Sequence, residues 1–267
     1  MRGFVEQSRR EHSLPIRNYH KVAGPVTYDF TTKGNSIPAK GASHKKAQKS
    51  PNVFISGPIS GRSCSPVDCD TPVHMISLFP AEVERRFAVL GIPHRFTEAE
   101  IAEFATIPIV AANVEMIAFP TPQAKRGLNL LTLRKILGTN PQKPPSFFDH
   151  PWYLNEAFAE QDCEAGWHFL YTSVLPDSLS QPVHYIDSLR NSGLQLPSAI
   201  EVVLMLFLHF VGTGEQLLQK KHTWCRDRAS LNRFVTVGAF GRNGLFLSAH
   251  PGMYASRGLG ICARVTR

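Results

Sequence analysis

The sequence predicts an α+β fold: an antiparallel sheet packed around one buried helix, behind a disordered basic N-terminal arm. Three observations predict it. Residues 199–211 are apolar on every face except at Glu201 and His209, the pattern of a helix buried all round. Residues 147–267 carry short runs of strand character separated by turn signals, without a βαβ rhythm. Ten Lys or Arg and three acids fall in residues 1–50, so +7 of the formal +8 charge sits there and the rest of the chain is nearly neutral.

Taken in order, residues 1–72 form the basic arm. They are rich in Ser, Pro, Gly, Lys and Asn and hold no sustained apolar period, so burial cannot repay the entropy of ordering them. Short strands are expected at 26–30 and 52–56. Residues 73–140 read as a small helical segment. Residues 80–90 have an acidic first turn and stop at Gly91. Thr97 with Glu100 is a capping box opening a helix over 98–105. Residues 107–110 are strand-like. Residues 129–137 place apolar side chains at 130, 133, 136 and 137 and end at Gly138. A proline-rich linker over 139–146 marks a boundary.

Residues 147–267 form the α+β domain. A short helix over 151–159 turns Trp152, Phe158 and Ala159 inward, and a strand over 166–174 aligns Trp167, Phe169 and Tyr171. Ser198 and Glu201 are spaced as the capping box of the buried helix, with Gly212 and Gly214 as its stop. Strands are expected at 231–237 and 245–249, joined through the Asn243-Gly244 turn signal, and a closing strand at 260–265.

Several function classes are poorly supported. The apolar helix falls short of the roughly 20 residues that span a bilayer. No apolar h-region follows Met1, and five cysteines are an odd, sparse set. The expectation is a cytoplasmic protein without a membrane segment. Phosphate-binding, dinucleotide-binding and nucleophile-elbow motifs and His-Glu-x-x-His are absent, and no cofactor is expected.

What remains are candidate constellations. Cys163 with His168, and His222 with Cys225, are two short-spaced pairs of zinc-ligand types. The alternative is that they are ordinary buried side chains. His209 on the apolar helix is either a desolvated base or a structural histidine. Trp152, Tyr153, Trp167 and Tyr171 offer ring faces for a ligand or for the core. Lys220, Lys221, Arg226, Arg228 and Arg233 form a basic cluster in sequence, suited to a ligand's phosphate or to solvent.

The order of elements after residue 150 resembles the module shared by formylglycine-generating enzymes and the C-type-lectin-like fold. The resemblance rests on Leu196-Pro-Ser-Ala-Ile-Glu201, on Val237-Gly-Ala-Phe240 and on Gly260-Ile-Cys-Ala-Arg264. The pairs Trp152-Tyr153, Phe158-Ala159 and Gly166-Trp167 also resemble a signature in uncharacterised bacterial proteins. Residues 250–260 lack the enzymes' cysteine pair, and the lectins' calcium-ligating motifs are missing. The resemblance therefore implies a binding or structural module rather than the oxidase. The leading expectation is a non-enzymatic intracellular binding or structural module, contacting an unknown protein or small ligand through loops 211–230 and 238–258. One alternative is an enzyme or metalloprotein using His209, His222 and Cys225. Another is sequence-independent, weak nucleic-acid association through the basic arm.

Overall fold

The chain folds into mixed α/β structure with two sheets where one was expected. The computed structural model describes residues 75–108, 114–123 and 127–266. The expected arm and its short strands lie outside the described residues. So do residues 109–110 of the strand expected at 107–110, while 107–108 form no strand.

The first sheet has five strands: β1 (Met75–Ser77), β2 (Met116–Thr121), β3 (Gly166–Tyr171), β4 (Leu194–Gln195) and β9 (Arg264–Val265), in the order β1-β2-β3-β9-β4. The second has four: β5 (His222–Ala229), β6 (Arg233–Gly241), β7 (Gly244–His250) and β8 (Leu259–Gly260), in the order β7-β6-β5-β8. Each sheet is antiparallel except for one parallel edge pair, β1 with β2 and β5 with β8. The helices are α1 (Pro80–Leu90), α2 (Glu98–Glu103), α3 (Leu130–Leu137) and α4 (Ala199–Thr213).

The end signals of α1, α2 and α3 act as the sequence implies. Gly91 takes the left-handed conformation, Thr97 and Glu100 exchange both capping-box bonds, and Asn129 accepts from the Thr132 N–H. The helical segment also contains β1 and β2, which were not expected. Every β2 residue is buried, so its pattern shows no alternation to betray a strand. The linker over 139–146 does not divide the packing either. The described residues all fall in one unit, and β2, before the linker, pairs with β3, after it.

The closing strand expected at 260–265 is split between the sheets. Leu259–Gly260 lies beside β5, and Arg264–Val265 lies between β3 and β4. The buried crossing is satisfied by side chains. The Ile261 N–H donates to Ser178 Oγ at 2.8 Å and the Cys262 N–H to Thr223 Oγ1 at 2.7 Å, which removes the cost of orphaned backbone groups. Residues 222–229, expected as part of a contact loop, form β5. Thr223, Trp224 and Cys225 are all buried, because both faces of the strand are covered there. The second contact loop, 238–258, is mostly the β6–β7 hairpin.

Residues Ala199 to His209 of α4 are all buried. The helix contacts α1, α3, β3, β5 and β6. Gly212 does not stop it; the helix continues to Thr213 and ends at Gly214, φ 76°. Gly212 is needed for another reason. The Arg86 guanidinium of α1 lies against it, in the space a Cβ would fill. Arg86 is buried there, donating from Nη1 to the Leu208 carbonyl at 2.7 Å and from Nε to Glu82 at 2.5 Å.

Two substitutions test this account. Leu206→Ala is expected to lose roughly 2–5 kcal/mol through a core cavity. Gly212→Ala should also destabilise, although Ala is favoured in a helix by about 1 kcal/mol, because it evicts Arg86. Denaturant unfolding reads both; a stabilised Gly212→Ala protein would sink the Arg86 explanation.

Candidate functional site

Polar chemistry concentrates at two places. The first is the N-terminus of α4. The Leu-Pro-Ser signal starts the helix there, and its third residue, Glu201, is fully buried. One Glu201 oxygen accepts from the Ser198 N–H at 2.6 Å, closing the capping box. The other lies 2.9 Å from His168 Nδ1 of β3 and 3.0 Å from Arg264 Nη1 of β9. Asp227 of β5 accepts the Ala199 N–H at 2.6 Å, and the Arg226 N–H donates to the Pro197 carbonyl at 2.9 Å. Both sheets therefore hold this helix start. Burial alone would raise the Glu201 pKa, but the His168 hydrogen bond and charge, Arg264 and the Ser198 N–H outweigh it and hold the pKa at about 2.

Cys163, His168 and Glu201 stand in the order of a nucleophile, a base and an orienting carboxylate. Cys163 Sγ is 3.8 Å from His168 Nε2, whose ring stacks on Phe119. Two facts oppose catalysis here. His168 Nε2 lies 3.0 Å from the Glu164 carbonyl oxygen and 2.8 Å from Thr121 Oγ1, and that hydroxyl itself donates to the Glu164 carbonyl at 2.6 Å. A carbonyl only accepts, so Nε2 meets it as a donor and keeps no lone pair for the thiol. Burial, followed by the Glu201 charge, pushes the Cys163 thiol pKa well up, away from the reactive thiolate.

The four expected metal ligands do not converge. Cys163 and His168 meet, but Cys225 faces the core packed on α4, whereas His222 lies on the opposite face of β5, edge-on to Phe246. Among the described residues no group of three or more His, Cys, Asp or Glu has metal-holding geometry. His209 is buried 3.5 Å from the Glu215 carboxylate. Trp152 and Tyr153 pack with Phe158, and Trp167 packs separately with Phe79, Phe104 and Phe169. Tyr153 is a core residue whose hydroxyl accepts from Arg134 Nη1 at 3.0 Å, so these rings make no common platform.

The basic cluster is drawn out along β5. Lys220 and Lys221 precede the strand, and Arg228 and Arg233 lie near its far end, roughly 20 Å away at the rise of a strand. Arg226 is paired with Glu164 at 2.9 Å.

The second concentration is the face of the four-stranded sheet turned away from α4. Strand register places His222, Gly238 and Phe246 in one row, Trp224, Thr236 and Ser248 in the next, and Arg228, Phe234 and His250 in the third. His150 stacks on Phe246 at 5.6 Å and 5°, with Phe148 edge-on to the same ring. Tyr254 stacks on His250 at 4.2 Å and 11°. The Arg228 guanidinium lies 3.2 Å over Phe234. Ser248 Oγ bridges Thr236 Oγ1 at 2.7 Å and His250 Nε2 at 3.0 Å. Burial, with His250 adding to it, lowers the His222 pKa to about 4; burial and then Arg233 lower that of His250. Both rings are therefore neutral at pH 7.

The sequence signal for this face was present. Positions 246, 248 and 250 alternate, as do 234, 236 and 238. The pairing that joins them to 222, 224 and 228 is not readable from residues 220–228, whose charges read locally as a loop.

No protein-family model, curated protein or solved structure matches the chain.

The pKa shifts give two acid windows. His222 and His250 are depressed from 6.5, so their contribution to stability is complete above that pH and falls away toward about 4 for His222. Glu201 is depressed from 4.5, so its contribution is complete above 4.5 and is lost as pH falls through about 2. Chemical unfolding across pH should show His222→Gln flattening the upper window only and Glu201→Gln the lower only. A Glu201→Gln protein with the unaltered acid profile would contradict the buried ionic network.

Proposed function

We propose that this protein is a non-enzymatic intracellular binding module whose contact surface is the outer face and tip of the four-stranded sheet. The observation that carries this reading is Leu231, which is 90 % exposed in the β5–β6 turn at φ 58°, ψ 29°. Asn232 follows at φ 55°. Such turns favour Gly or Asn, and a leucine there costs conformational energy with no burial to offset it. Folding has no use for that side chain at that place; a partner does.

The neighbourhood supports the reading. Beyond β7, Met253 is 75 % and Tyr254 42 % exposed. Exposed Tyr, Met and Leu beside arginine is the composition of contact surfaces. The Cys163–His168–Glu201 group, by contrast, is spent on fixing α4. The C-type-lectin-like resemblance leads to the same class of function, and the buried free thiols Cys163, Cys225 and Cys262 suit a reducing, cytoplasmic setting.

The test asks whether these side chains serve packing or contact. Leu231→Gly is expected to raise the melting temperature slightly, since it relieves the left-handed backbone. Tyr254→Ala should leave it within about 0.5 kcal/mol of the parent, the usual range for surface changes, whereas Trp224→Ala in the core should lose roughly 3–5 kcal/mol. Marked destabilisation by Leu231→Gly or Tyr254→Ala would make them packing residues and end this reading.

A further inference from the structure

Resting on that reading of the sheet face, we infer that it binds single-stranded nucleic acid, with bases on its paired rings and phosphates on the cations at either end. Two ring pairs stand on β7, one around Phe246 and one around His250. They are four residues apart on one face, about 13 Å at the rise of a strand. His150 and Tyr254, the outer members, are both exposed. A stacked imidazole and an aromatic ring offer a flat surface that any base can cover.

The cations flank these rings. Exposed Lys220 and Lys221 enter β5 beside the His222 and Phe246 row. Arg228 and Arg233 stand at the other end, Arg228 on the Phe234 ring and Arg233 near enough to His250 to depress its pKa. At that end Glu156 is committed to the Ser230 N–H at 2.8 Å and the Ser230 hydroxyl at 3.0 Å, and Asp227 to the Ala199 N–H. Trp224 and Thr236 are buried between the two ends. A strand would therefore be gripped at both ends and bridge the middle. Stacking rings combined with cations in reach of the backbone are what sequence-tolerant binding of single strands requires. A duplex keeps its bases stacked on one another and offers the rings no free face. The +7 charge of residues 1–50 would add sequence-independent affinity for either form.

Fluorescence anisotropy of the full chain with labelled oligo(dT), across a salt series, tests this. The parent should bind oligo(dT) more tightly than a duplex of equal length. Tyr254→Ala and Phe246→Ala should each weaken oligo(dT) binding roughly tenfold with the salt slope unchanged. Arg233→Ala should reduce the slope of log K against log salt by about 0.7. Three outcomes overturn the proposal: no binding at low salt, equal binding of duplex and single strand, or ring variants that bind as the parent does. In the last case the affinity belongs to the basic arm. If Tyr254→Ala melts as the parent does and still binds oligo(dT) unchanged, nucleic acid fails as the ligand while the contact face stands, for a protein partner. If the same variant unfolds early, the face itself is misread.

Discussion

The structure depends on a buried carboxylate. Glu201 carries a negative charge into the N-terminus of a helix whose next eight residues are all buried. A lone carboxylate in such a place would take up a proton or leave. It stays because Ser198, His168 and Arg264 meet it from the helix, β3 and β9. The dipole of α4 favours the same charge. Removing any one partner strands a charge in the core, so the residues from three parts of the chain stand together. That requirement fixes the rotation of α4 about its axis, which apolar packing alone could not do for a helix apolar on nearly every side.

From that anchor the two sheets take their places. Asp227 and the backbone of Arg226 bring β5 to the same helix start, while Arg86 pins the other end through the Leu208 carbonyl and the gap left by Gly212. The closing segment then passes from one sheet to the other within a few residues, its N–H groups taken by Ser178 and Thr223. An arrangement that resembles a catalytic relay is here the fastening of the fold. Nucleophilic chemistry needs a thiolate and a free imidazole lone pair, and the same burial and hydrogen bonds that steady α4 remove both.

The outer face of the four-stranded sheet is built on opposite terms. Its two ring pairs are part exposed and edged by arginine and lysine, while Trp224 and Phe234 between them join a second apolar cluster with Val183 and Leu259. Leu231 stands at its tip in a backbone conformation that disfavours it. Local rules are broken where folding has least to gain, and that is where function is expected to reside.

The sequence by itself determined the elements whose signals are local. Capping boxes at Thr97 and Ser198, glycine stops at Gly91 and Gly214, the Asn243-Gly244 turn and the apolar run of α4 depend on neighbours a few residues away. It also put Cys163 and His168 together as a pair worth examining, and they meet. Only the tertiary structure decided the rest. A strand buried on both faces, such as β2, shows no alternation, and β5 hides its alternation among charges that end up paired or stacked. Splitting residues 259–265 between two sheets depends on hydroxyls at 178 and 223, far away in sequence. The ring pairs on the outer face of the four-stranded sheet join residues from 148 to 254, and strand register, which no local pattern contains, brings them to one side.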